Sequence, residues 1–127
     1  MAAPEIKYTE EHEWVRRTAD DVVRIGITDY AQQQLGDVVF VQLPDVGQQV
    51  ASGDSLGEVE STKSVSDIYA PVAGEVTARN DALEDQPELV NSAPLDDGWR
   101  VEIRLADPEQ WAGLLDADAY QKVIDQA

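Results

Sequence analysis

The hydrophobic positions fall into short runs rather than one long periodic stretch. Glu13-Trp14-Val15-Arg16 is followed by a polar turn, Thr18-Ala19-Asp20-Asp21, and then by Val22-Val23-Arg24-Ile25-Gly26-Ile27. The second run is β-branched and mostly apolar, so the two predict an antiparallel hairpin, with Met1–Glu11 leading into its first strand. Thr28 suits an N-cap and Asp29 a first helical turn, so a short helix is expected over Asp29–Leu35, with Gly36 at its C′ position. Asp37–Leu43 reads as a strand stopped by Pro44. Glu84–Asn91 is polar and reads as loop plus one turn, and Asp96-Asp97-Gly98 reads as a turn. Trp99-Arg100-Val101-Glu102-Ile103-Arg104-Leu105 alternates apolar and polar residues, the mark of a half-buried strand. Asp107, Pro108 and Gln110 fit N-cap, N1 and N3 of a further helix with a capping box. Trp111, Leu114 and Leu115 would give its apolar face. Gly113 interrupts it, and Asp116 can cap a second segment whose Tyr120, Val123 and Ile124 face inward.

The middle of the chain partly repeats itself. At an offset of 27 positions, Pro44 meets Pro71, Gly47 meets Gly74, Asp54 meets Asp81 and Leu56 meets Leu83. Pro44–Leu56 and Pro71–Leu83 therefore read as two strand-turn-strand units able to pack face to face. Between them runs Leu56–Val76, with Lys63 at or next to the tip of a tight hairpin. Val59 lies before it, Val65, Ile68 and Tyr69 after it, and Glu58, Glu60 and Asp67 around it. A lysine so placed has its ammonium in water and its backbone held by two strands, which suits a residue that another enzyme must find and acylate. The same pattern also fits a solvated lysine that merely caps a hairpin.

Composition narrows the choice. The 127 residues, 43% of them hydrophobic, suffice for one core and not for two, so 1–127 reads as a single domain. A net charge of −17, from 26 acidic and 9 basic residues, speaks against nucleic acid and against an anionic membrane as partners. It favours positively charged protein surfaces. No cysteine is present, which removes disulfides, thiol nucleophiles and thiolate metal sites. No secretory signal pattern opens the chain, and no apolar run reaches membrane-spanning length. No metal site and no catalytic constellation emerges, so an enzyme is not expected. His12 is the only histidine and reads as a polar contact at a strand end, and Trp14, Trp99 and Trp111 read as core. No phosphate-cradling glycine loop or nucleophile elbow occurs.

The ordered set of short motifs resembles the lipoyl-type swinging-arm domains, and among them the H proteins of the glycine cleavage system. The segments are Tyr8-Thr9, His12-Glu13-Trp14-Val15, Gly26–Gln32, Leu35–Val41, Glu60–Tyr69 and Pro87–Asn91, covering nearly the whole chain. The resemblance implies a mainly β barrel-sandwich hybrid of two antiparallel sheets, with an N-terminal hairpin, one short internal helix and C-terminal helices. It implies lipoate joined by an amide to Lys63, and an arm that can be loaded, unloaded and reoxidised by thiol–disulfide chemistry. It further implies a carrier that takes an aminomethyl group from a pyridoxal-phosphate glycine decarboxylase, passes it to a folate-dependent aminomethyltransferase and is reoxidised by a dihydrolipoyl dehydrogenase. Lipoylating enzymes are implied as well. A monomer is expected, cytoplasmic in a bacterium or in the mitochondrial matrix as a processed eukaryotic form. Thr62, where many members carry valine, and Pro94–Trp99, in place of a Pro-Tyr-Gly type of turn, depart from the family pattern.

Two roles follow from these readings. Glu58, Glu60 and Asp67 are expected to be recognised by the partners and by the lipoylating enzyme. A protective groove for the loaded arm needs an acceptor for the cargo's ammonium, for which Glu13 comes first and Asp67 second. An exposed strand residue is the plainer reading of Glu13. Three alternatives stand beside the carrier reading. A lipoyl domain of a 2-oxo-acid dehydrogenase complex lacks the N-terminal hairpin and C-terminal helices. A biotinyl domain sets its lysine between methionines. An unmodified barrel-sandwich module would be purely structural.

Overall fold

A computed structural model describes residues 6–19, 21–95 and 97–126. Among the described residues, nine strands form two antiparallel sheets. The larger has the order β1 (Ile6–Tyr8), β2 (Glu13–Ala19), β3 (Val22–Ile27), β9 (Val101–Leu105), β8 (Gly74–Arg79) and β5 (Gln49–Val50). The smaller places β6 (Ser55–Ser61) between β4 (Val38–Gln42) and β7 (Val65–Tyr69). Val15, Val23, Ile25, Val76, Val101 and Ile103 from the first sheet meet Val41, Leu56, Val59 and Ile68 from the second in one buried apolar cluster. This is the two-sheet β architecture expected from the sequence.

Local signals placed most elements. Thr28 caps α1 (Asp29–Leu35) by accepting from Ala31 N at 3.2 Å, and Gly36 ends it at φ +79°, a conformation that favours glycine. Asp116 caps α4 (Ala117–Asp125), which buries Tyr120. β2 runs on through Thr18 and Ala19, so of the turn expected at Thr18–Asp21 only Asp21 is a turn residue, and Asp20 lies outside the described residues. Asp97 and Gly98 form a turn, and Asp96 lies outside the described residues.

Three expectations need correction. Glu84–Asn91 is not loop plus one turn, because it contributes to two one-turn helices, α2 (Ala82–Asp85) and α3 (Leu89–Ser92). Leu83 and Val90, fully buried, hold them on the core, and no local pattern in so polar a stretch reveals that. The second repeat unit is accordingly strand, turn and helix. Leu56 lies in β6 and Leu83 in α2, and both go to the core. The repeats do meet, with Gly47 N donating to Val76 O at 2.7 Å and β5 pairing with β8. The expected capping box also fails. Asp107 does cap a 3₁₀ helix, Pro108–Gly113, by accepting from Glu109 N. Gln110 does not accept from the Asp107 N–H; its amide accepts from Ala73 N at 2.7 Å and donates to Ala73 O at 3.1 Å and to Asp107 O at 3.2 Å. The pair to Ala73 staples the helix to the loop before β8.

Candidate functional site

Lys63 stands in the turn Thr62-Lys63-Ser64 that joins β6 to β7, and its side chain is exposed. The turn is tightly bound beneath it. Ser61 N donates to Ser64 O at 2.8 Å, and Ser61 Oγ accepts from both Lys63 N and Ser64 N at 3.2 Å. Thr62 N donates to Asp37 O at 3.0 Å, tying the tip to the segment before β4. The aliphatic stem of Lys63 lies over Gly36, where any Cβ would sit 3.2 Å from Lys63 Cε. The glycine that ends α1 thus also makes room for the lysine.

A residue unassigned by sequence reasoning fixes this junction. The amide of Asn91, in α3, donates to Gly36 O at 2.8 Å and to Gln32 Oε1 at 3.1 Å, and accepts from Val38 N at 2.8 Å. Both sides of the junction between α1 and β4 are therefore held from a third element. The Pro87–Asn91 motif signalled this residue, though not its contacts.

Beside the hairpin opens a groove of about 410 Å³. Tyr30, Ala31, Gln34 and Leu35 of α1 line it on one side, and Ser64, Ser66, Asp67 and Tyr69 of the Lys63 hairpin on the other. Ile27, Val59 and Ile68 give it apolar wall, while Glu13 and Arg100 also line it. A second cavity of about 500 Å³ shares Glu11, Glu13 and Tyr69 with it but none of the hairpin's serines. The two carboxylates singled out for the groove, Glu13 and Asp67, thus line one cavity.

Their environments differ. Asp67 is exposed, and Tyr69 Oη donates to it at 3.4 Å. Glu13 is only 4% exposed, so it is not the solvent-facing strand residue of the plainer reading. Thr9 Oγ1 donates to its Oε1 at 3.4 Å. Burial pushes its carboxyl up to about 8, against the pull of the Arg100 guanidinium, with a push from Glu11 and a lesser opposing pull from the Thr9 bond. Arg100, 1% exposed, is itself lowered to about 10 by burial, an effect that Glu13 opposes. His12 sits at the groove's edge with φ +66° and hydrogen-bonds through Nδ1 to Tyr120 Oη at 2.9 Å. Tyr120 Oη also meets Thr28 Oγ1 at 2.7 Å, so α4 is tied to the cap of α1. Burial holds the imidazole below its ordinary range, with Glu11 acting the other way.

Glu58 and Glu60 point outward from β6. In register, Glu60 lies between Phe40 and Val65, and Glu58 between Gln42 and Asp67. Phe40 and Val65 are both more than half exposed. The outer face next to Lys63 is thus apolar and acidic together.

The groove's apolar wall fits a hydrocarbon arm, and its carboxylates fit a cationic end. Comparison with known proteins identifies the family. The profile of the family described as Glycine cleavage H-protein matches residues 6–127. The glycine cleavage system H protein of Mycolicibacterium smegmatis is 62% identical over 96% of this chain and 95% of its own length. That of Mycobacterium avium is 57% identical over 97% and 96%. The crystal structure of a glycine cleavage system H protein from Mycobacterium marinum superposes with a TM-score of 0.83 at 39% identity, covering 98% of this chain and 99% of that one. With its fold and nearly its whole length matched, the chain belongs to the glycine cleavage H-protein family.

Proposed function

We propose that Lys63 bears the lipoyl group through which this chain acts in glycine cleavage. Members of the family are carrier components with a lipoate covalently attached to a lysine, and that carrier role is this chain's function. The observation that carries the assignment to Lys63 is its place among the three lysines of the sequence. Lys7 lies in β1 with its Nζ 5.5 Å from the Trp111 ring, and Lys122 lies within α4. Lys63 alone is presented at the end of a hairpin and beside a groove.

When attached, the group supplies a dithiolane for group carriage and thiol–disulfide exchange. The protein's own residues supply position. Ser61, Asp37 and Asn91 hold the turn and the α1–β4 junction, so the arm swings from a fixed point. Ile27, Leu35, Val59 and Ile68 give the arm a surface out of water, and Glu13 and Asp67 offer acceptors to an ammonium. The partners in this reading are the pyridoxal-phosphate glycine decarboxylase, the folate-dependent aminomethyltransferase, dihydrolipoyl dehydrogenase and the lipoylating enzymes. In this reading the chain acts as a monomeric, non-catalytic carrier domain, cytoplasmic in a bacterium or in the mitochondrial matrix as a processed eukaryotic form. Peptide mapping after co-expression with a lipoylating enzyme should place a stoichiometric adduct on the Lys63 peptide. An adduct on Lys7 or Lys122 instead refutes the assignment.

Glu58, Glu60 and Asp67 face the partners, with Phe40 and Val65 as apolar contacts among them. Rim charges of this kind act on the rate of encounter and are screened beyond roughly 10 Å at 0.1 M salt. The apparent KM of the decarboxylase for this protein should therefore rise with added salt. A KM independent of salt would separate docking from the acidic face.

A further inference from the structure

Among the described residues, four buried side-chain nitrogen and oxygen atoms lack a hydrogen-bond partner, and they belong to two residues of one groove. They are Oε2 of Glu13 and Nε, Nη1 and Nη2 of Arg100. A guanidinium buried without partners is costly, and an apolar side chain would fill the same space at less cost. The main chain of Arg100 is held in place. Its backbone N donates to Ile25 O at 2.7 Å, and its O accepts from Asn80 N at 2.9 Å, which fixes the entry into β9.

We propose that Arg100 is a positioning residue of the groove: its guanidinium lets the buried Glu13 ionise when a primary ammonium group, carried on the Lys63 arm, comes to rest there. The inference builds on the reading of this groove as the arm's resting place. A carboxyl shut away from water stays protonated, and a neutral acid holds an ammonium poorly. An opposite charge a few ångströms away favours ionisation by roughly 1–3 pH units. The same guanidinium repels an incoming cation. Coulomb energy falls with distance, so Arg100 helps on balance when the cation sits farther from it than the carboxylate does. Arginine suits the task better than lysine, because burial deprotonates a lysine far more readily. Glu11, His12, Tyr30, Asp67 and Tyr69 also line the groove. Glu11 works against the ionisation of Glu13, and Asp67 is exposed.

The test uses the full-length, unlipoylated protein labelled with ¹³C at glutamate side-chain carboxyls, with the Glu13 signal assigned through Glu13→Gln. Its titration is followed by NMR in wild type, Arg100→Met and Arg100→Lys, with methylammonium as the probe ligand. Arg100→Met should raise the Glu13 midpoint by about one pH unit or more, with Arg100→Lys in between. At pH 7 methylammonium should bind Arg100→Met roughly tenfold more weakly than wild type. Above the variant's midpoint the order should invert, since only the repulsion by Arg100 then distinguishes the two. A folded Arg100→Met with an unmoved midpoint and unchanged affinity overturns the proposal and leaves Arg100 as filler. Should Arg100→Met not fold, Arg100→Gln, neutral and polar, answers the same question. If methylammonium leaves the wild-type Glu13 signal unmoved at every pH, the groove is no ammonium site and the proposal falls. Attachment at Lys63, read separately by mass, stands or falls on its own.

Discussion

Lys63→Arg is expected to abolish lipoylation and with it all carrier activity, while the protein stays folded. The side chain is exposed, and the bonds that shape the turn run through backbone atoms of residues 61–64, Asp37 and the Ser61 hydroxyl. An arginine keeps the charge and can lie over Gly36 as the lysine stem does. Surface substitutions that touch no buried partner change stability within about ±0.5 kcal/mol. The guanidinium, protonated at any physiological pH, offers no free amine for amide formation. Intact mass should therefore show no adduct on the variant, and exchange of glycine with bicarbonate in the presence of the decarboxylase should fall to background. Thermal unfolding should remain within about one or two degrees of wild type. A fall of ten degrees would make the lysine a structural residue. A retained adduct would move the attachment point elsewhere.

Much of this site was legible because its parts are local. The hairpin around Lys63 shows in alternation over a few residues, and α1 shows in Thr28 at one end and Gly36 at the other. What escaped depends on contacts between distant elements. Asn91 belongs to a motif that names it, but its partners lie 53 to 59 residues away on either side of Gly36. The one-turn helices α2 and α3 are too short to stand alone and are held by the burial of Leu83 and Val90. Arg100 is the plainest case. Alternation along 99–105 assigns it to the wet face with Glu102 and Arg104, yet it is buried at the strand's entry beside Glu13. Its environment is set by β2, on the far side of β3 in the sheet, which no window of sequence around it contains.

Glu13→Gln is expected to change how stability depends on pH, and the sign follows from burial. The folded-state carboxyl is raised from 4.5 to about 8. Below the ordinary value both folded and unfolded chains hold the proton, and the group adds nothing to the pH dependence. Between about 4.5 and 8 the unfolded chain has released it while the folded chain still binds it. Wild-type stability therefore falls as pH rises through that window, by at most about 1.4 kcal/mol per unit and several kcal/mol in all. Glutamine is nearly isosteric, accepts from Thr9 and cannot titrate. The variant's guanidinium lacks a counter-charge at every pH, as in wild type below about 8, and this is constant with pH because Arg100 stays protonated up to about 10. The stability of Glu13→Gln relative to wild type should accordingly climb from acid toward pH 8 and level off above it, whatever its absolute value. Carboxylates common to both proteins cancel in that difference. Urea denaturation at half-unit intervals from pH 4 to 9 measures it. Parallel curves would mean that Glu13 titrates as a solvated carboxylate. That would deny it the dry setting in which one carboxylate, with Arg100 behind it, can hold a cation.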